Sequence, residues 1–188
     1  MNRVQLAIEI ARRAHKGQVD KLGVDYISHP LRVRRNLLSH PNFKTLDDAS
    51  REDCEVAAIM HDVIEDSGKN GSEKFTAGDL LSHRFSPRSI ELVQLLTRDD
   101  SVPDEIYYER IQANPLARLV KLADIADNRN HKRVSGLEAK KAEELRAKYD
   151  HALAVIEMDE DDAFWLRAAM DYDIEIEDVE DDANEDEG

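Results

Sequence analysis

The dipeptide His61-Asp62, inside AAIMHDVIEDSG, sets an imidazole beside a carboxylate. Neighbouring side chains on a helix diverge by ~100°, so one ion over the groove between them can take a nitrogen from the first and an oxygen from the second. Glu65 and Asp66 follow four residues after His61 and Asp62, which puts two more acids one turn along the same face. Asp124 stands in the apolar run LVKLADIA, where a carboxylate is costly unless it is ion-paired, hydrogen-bonded or bound to a metal. His29, ahead of Pro30, offers a second imidazole. His29, His61, Asp62 and Asp124 thus supply two nitrogens and two oxygens, a donor set that suits one manganese, iron or zinc ion better than calcium and leaves positions for water and substrate. Asp127, three residues after Asp124, is read as a capping acid or a partner of Lys121 or Arg129 rather than a ligand. His15, His40, His83, His131 and His151 are assigned to surface or core.

Apolar residues recur at helical spacing almost throughout, which predicts an all-α bundle. A first helix is expected over 2–16, with Leu6, Ile10 and Ala14 on one stripe. A loop then leads to a second helix opened by Pro30 behind Ser28 or His29, so that His29 sits at a helix mouth. Ser50 and Asp53 resemble a capping box starting a third helix that carries EVAAIMHDVIED in one piece. Thr76 and Ser86 read as N-caps of helices near 77–84 and 87–96. Further helices are expected near 104–113, 115–130 and 137–157, with Leu119, Leu122 and Ala126 facing inward. DDAFWLRAAM should cap the core with Phe164, Trp165 and Leu166. The polar segment SGKNGSEKF, at 67–75, is a candidate lid.

The 188 residues fit one domain, taken as 1–170. Residues 171–188 hold eleven acids and no base, too charged to offset the entropy of ordering, so a disordered acidic tail is expected, with a short strand around Ile174, Ile176 and Val179 as the alternative. That tail carries most of the net charge of −15 and leaves the rest near −4. This balance argues against long nucleic acid as a partner. Two basic clusters, RVRR at Arg32, Arg34 and Arg35 and RNHKR at Arg129, Lys132 and Arg133, could instead meet a small anion. A lone cysteine, Cys54, and the lack of a signal peptide or long apolar run favour a cytoplasmic protein with no membrane partner. Oligomeric state is not readable.

Three blocks in order, AHKGQVDKLGVDYISHP at 14–30, AAIMHDVIEDSG at 57–68 and LVKLADIADNRN at 119–130, resemble the hydrolase domain of the RelA/SpoT alarmone family in its small stand-alone form. The resemblance implies an HD-type helical bundle that uses manganese, held by His29, His61, Asp62 and Asp124. It implies that Glu65 and Asp66 flank the nucleophilic water, and that Lys21, Asn128 and, more loosely, Tyr149 contact nucleotide or phosphate. The implied reaction removes the 3′-pyrophosphate of (p)ppGpp-like nucleotides in the stringent response, guanosine or adenosine form, by a hydrolase-only protein. Two cations common in the family are replaced by Asp20 and Ile125, so Arg98, Arg129 or the RVRR cluster must compensate if the substrate is highly phosphorylated. The alternatives are an HD phosphohydrolase acting on another nucleotide or phosphoester, and a non-catalytic nucleotide- or partner-binding module.

Overall fold

Asn2 accepts a hydrogen bond from Gln5 N at 2.8 Å while the Gln5 side chain accepts from Asn2 N at 3.1 Å, a capping box that starts α1 (Arg3–Ala14). The computed structural model describes residues 2–172. The described elements continue with α2 (Ser28–Ser39), α3 (Pro41–Lys44), α4 (Asp48–Met60), α5 (Val63–Asp66) and α6 (Ala77–Ser82). After them come α7 (Pro87–Leu96), α8 (Asp104–Gln112), α9 (Pro115–Asn128), α10 (His131–Ser135), α11 (Ala139–Val155) and α12 (Glu160–Asp171). Among the described residues there is no strand, only an isolated bridge between Val19 and Asp25. The expected all-α bundle is what forms. The acidic tail lies outside the described residues apart from Asp171, which ends α12, and Tyr172.

Caps explain most of the boundaries. Thr76 and Ser86 accept from Asp79 N and Ser89 N, and Pro87 and Pro115 occupy first turns where a missing N–H costs nothing. The start of α4 differs from expectation: Asp47, not Ser50, is the N-cap, because its carboxylate accepts from both the N–H and the hydroxyl of Ser50. The expected single helix through EVAAIMHDVIED is also interrupted. His61 Nδ1 lies 2.8 Å from Ala58 O, the carbonyl that Asp62 N–H would use in a continued helix, and since a carbonyl only accepts, the ring nitrogen donates. Helix α4 therefore stops at Met60 and the backbone turns through His61 and Asp62 before α5.

The core is centred on α4 and α9. Helix α2 packs along α9, and α4 is enclosed by α1, α2, α7 and α9. Ile59, Leu92, Leu122 and Ile125 are fully buried between them. Leu119, Leu122 and Ala126 face inward as their spacing predicts. Cys54 belongs to this core, and burial pushes its thiol up to about 12. On α12, Trp165 and Leu166 pack inward as expected, whereas Phe164 is 70% exposed. The helix has one inward stripe, and Phe164 falls off it. No described helix is long and apolar enough to cross a membrane.

Candidate active site

Helix α2, the α4–α5 turn and α9 each bring one part of the site. His29 lies in the first turn of α2, His61 and Asp62 at the break after α4, and Asp124 inside α9. Ligand atoms of His29, His61 and Asp124, all buried, lie within 4.8 Å of one another. His29 Nε2 and His61 Nε2 are 3.4 and 3.7 Å from Asp124 Oδ1. Asp62 stands beside this trio, with Oδ2 at 3.1 Å from His61 Nε2 and 3.7 Å from His29 Nε2. The four residues singled out from the sequence are thus brought together.

The donor set fits a divalent cation. His61 Nε2 is buried without a hydrogen-bond partner, a cost that a bound ion would remove. Nδ1 of His61 is committed to Ala58 O and Nδ1 of His29 to Asp127 Oδ2, at 2.8 and 2.7 Å, which leaves both Nε2 atoms directed at the carboxylates. Burial alone would lower the His29 imidazole, but its hydrogen bonds to Asp124 and Asp127 outweigh burial and push it up to about 9. Burial also opposes the shift of His61, which Asp62 and Asp124 raise. Against burial, the His61 and His29 charges hold Asp62 well below the carboxylate range, and Lys121 and His29 do the same for Asp124.

Around these four residues stand groups that hold them, of which the sequence had singled out only Asn128, and that one for substrate contact. The Tyr26 hydroxyl donates to Asp62 Oδ2 at 2.7 Å, and burial together with Asp62 holds the phenol far above its ordinary value, so it remains a donor. Lys121 Nζ donates to Asp124 Oδ2 at 2.8 Å and Asn128 Nδ2 to Asp124 Oδ1 at 2.6 Å. Asp127 does not pair with Lys121 or Arg129, the partners its spacing suggested, but with His29, Arg32 and Arg133. Arg129 pairs with Asp150 instead. The available signal was burial cost: Asp127 sits in the same apolar helix that marked Asp124.

The site opens into a cleft of about 550 Å³. Glu65, Asp66, Lys21, Asn128 and Tyr149, the other residues singled out from the sequence, all line it. Burial, with Asp62 and Asp66 nearby, raises the Glu65 carboxyl despite the 3.1 Å bond it accepts from Arg98 N. Asp66 is paired with Lys69. Lys21 shares its wall with Arg133 and Lys148, and burial plus their like charges lower its ammonium. Arg98 also borders the cleft, whereas Arg129 does not, and Arg32 and Arg34 are bound to Asp127 and Glu55. Asp20, which stands where the RelA/SpoT hydrolases commonly have a cation, accepts from Leu22 N and Val24 N and meets Arg133 at 3.2 Å. Ile125 is core. The segment 67–75, the candidate lid, is bonded to itself, Gly68 N to Glu73 O and Phe75 N to Ser67 Oγ, and none of its residues lines the cleft.

The family model described as HD domain matches residues 26–129, over half of the chain, and spans His29 through Asp124. The chain belongs to the HD domain family. HD domains bind divalent metals, and membership makes this chain a metal-dependent hydrolase by type. A stretch of 101 residues is 35% identical to a probable GTP pyrophosphokinase of Mycobacterium leprae (strain TN), covering 53% of this chain and 11% of that protein. The chain therefore spans only a small part of that relative. Among solved structures it is similar to a metazoan ortholog of SpoT, described as hydrolysing ppGpp and playing a role in starvation responses, at 20% identity and a TM-score of 0.68 over 90% of this chain and 94% of that one. That likeness establishes the shared fold.

Proposed function

We propose that this HD domain removes the 3′-pyrophosphate from (p)ppGpp-like alarmone nucleotides, releasing pyrophosphate and a nucleoside 5′-di- or triphosphate. The observation that carries the reading is the convergence of His29, His61, Asp62 and Asp124 with the acid pair Glu65 and Asp66 on one cleft that also holds Lys21, Asn128 and Tyr149. Similarity to a ppGpp-hydrolysing SpoT ortholog and to a GTP pyrophosphokinase supports the substrate class.

His29, His61, Asp62 and Asp124 would hold one divalent ion, manganese by the sequence resemblance. Such an ion supplies Lewis acidity, lowering the pKa of water so that hydroxide is available near neutral pH. The chain's own groups do the rest. Glu65, whose carboxyl burial raises, is suited to hold a proton and deliver it to the leaving 3′-oxygen. Asp66, fixed by Lys69, orients the attacking water. Lys121, kept protonated by Asp124 despite its burial, and the Lys21, Arg133 and Lys148 wall face the phosphate charge as it shifts during displacement. Tyr149 and Tyr108 offer the nucleoside an aromatic surface.

The deciding experiment is ion-exchange analysis of products after mixing metal-loaded protein with ppGpp, ppApp and a panel of ordinary nucleotides, with Asp62→Ala as control. Pyrophosphate released from an alarmone and lost in the control is the expected result, and the preferred base follows from it. Cleavage confined to ordinary nucleotides would transfer the site to another phosphoester, and no turnover with manganese, iron or zinc would leave a binding module.

A further inference from the structure

Asp127 is 3% exposed, one turn beyond Asp124 on α9, and both of its oxygens are engaged, one of them by a member of the ligand trio. Oδ2 lies 2.7 Å from His29 Nδ1, Oδ1 accepts from Arg32 Nε at 2.6 Å, and Arg133 pairs with the same carboxylate. An ionised carboxylate accepts and cannot donate, so His29 Nδ1 must carry the hydrogen. A neutral imidazole protonated there has its lone pair on Nε2, the nitrogen that faces Asp124 and Asp62. His61 reaches the same arrangement through a backbone carbonyl. A backbone carbonyl comes with the fold. His29 depends on a side chain that two arginines hold, Arg32 of α2 and Arg133 of α10.

We propose that Asp127 is a positioning residue of the metal centre: its carboxylate grips the Nδ1–H of His29 and keeps Nε2 aimed at the ion, while Arg32 and Arg133 keep that carboxylate in place. The inference rests on His29 being a ligand. Groups that orient a ligating histidine in this way are worth roughly 10- to 100-fold in metal affinity. Asparagine keeps the shape and one acceptor oxygen and loses the charge, so it should restore part of what alanine loses.

The test is calorimetric titration of the chelator-stripped full chain with Mn2+, for wild type, Asp127→Ala, Asp127→Asn and His29→Ala, each first shown to unfold cooperatively. In parallel, proton NMR of the Zn2+-loaded wild type is searched for a slowly exchanging, hydrogen-bonded imidazole resonance that His29→Ala removes. Asp127→Ala should bind Mn2+ roughly 10- to 100-fold more weakly, with Asp127→Asn between it and wild type, and the resonance should be present in wild type and absent in Asp127→Ala. Undiminished affinity in folded Asp127→Ala, or no such resonance in wild type, would overturn the inference. If Asp127→Ala does not fold, Asp127→Asn and the wild-type resonance decide. Undiminished binding by His29→Ala would instead remove the ligand assignment beneath it, a different failure that this control identifies.

Discussion

Glu65 and Asp66 are adjacent in sequence but differ in surroundings, and the difference assigns them different work. Glu65 is raised by burial and by the two neighbouring aspartates, while Asp66 is tied to Lys69. A carboxyl raised towards neutral pH is the better proton carrier, and an anchored carboxylate the better orienting group. Glu65→Gln should therefore lower kcat by about 10²–10⁴-fold while Mn2+ affinity stays within about threefold, since neither oxygen belongs to the ligand set. Steady-state kinetics with a parallel metal titration checks this. Retained turnover in Glu65→Gln would reassign the proton carrier to Asp66. The same logic applies to Lys121: it neutralises Asp124 and borders the cleft, so Lys121→Met should weaken kcat/KM as well as metal binding, whereas a purely structural lysine would change only stability.

At the scale of elements, α12 is held by a buried charge cluster that the sequence did not reveal. Asp162 is fully buried, pairs with Arg118, lies 3.2 Å from His40 Nε2 and accepts from Asn42 Nδ2. Trp165 Nε1 donates to Ser39 Oγ at 2.9 Å beside it. Removing one member of a buried ion pair strands the other, so Asp162→Ala should cost about 3–5 kcal/mol in urea unfolding. Trp165 is the sole tryptophan and is buried, so its emission should shift red if α12 detaches. No residue of α12 lines the cleft, and Mn2+ affinity of the folded variant should stay near wild type. An unchanged midpoint would mean that α12 is held by apolar packing alone. The helices themselves were legible wherever a cap or a proline marked an end, as at Thr76, Ser86 and Pro115. The misreadings have local causes. Asp47 and Ser50 are both cap-forming residues three apart, and the one with two acceptor oxygens won. Helices α3 and α10, of four and five residues, are too short to display a 3.6-residue period. The convergence of His29, His61, Asp62 and Asp124 was legible because histidines and acids in apolar runs demand partners, whereas Tyr26 and Lys121 are ordinary helix or loop residues until the fold places them beside Asp62 and Asp124.

For the whole molecule, the site is a knot of mutually charged groups in which protons and a cation compete. In the chelator-stripped protein His29 is raised from 6.5 to about 9 by Asp124 and Asp127 in spite of burial. A group whose folded pKa is raised contributes stability that is complete below its unfolded value and is lost as pH climbs through the folded one. Stability of the stripped protein should therefore fall between about pH 6.5 and pH 9, by something on the order of 3 kcal/mol at 1.36 kcal/mol per unit. His61, shifted in the same direction, adds to the loss. Asp127 has the opposite sign. Burial works against it, but His29, Arg133 and Arg32 depress it to about 2, so its contribution is present above its ordinary 3.8 and disappears as pH drops through about 2. An ion binds the unprotonated imidazoles, so saturating Mn2+ should flatten or reverse the alkaline decline, and the stabilisation that metal confers should grow from pH 6.5 to pH 9. Urea unfolding across that range, with chelator and with Mn2+, measures both. A stripped protein whose stability rises towards pH 9 would show that His29 is not held by the two carboxylates, and equal slopes with and without Mn2+ would place the ion elsewhere than on these imidazoles.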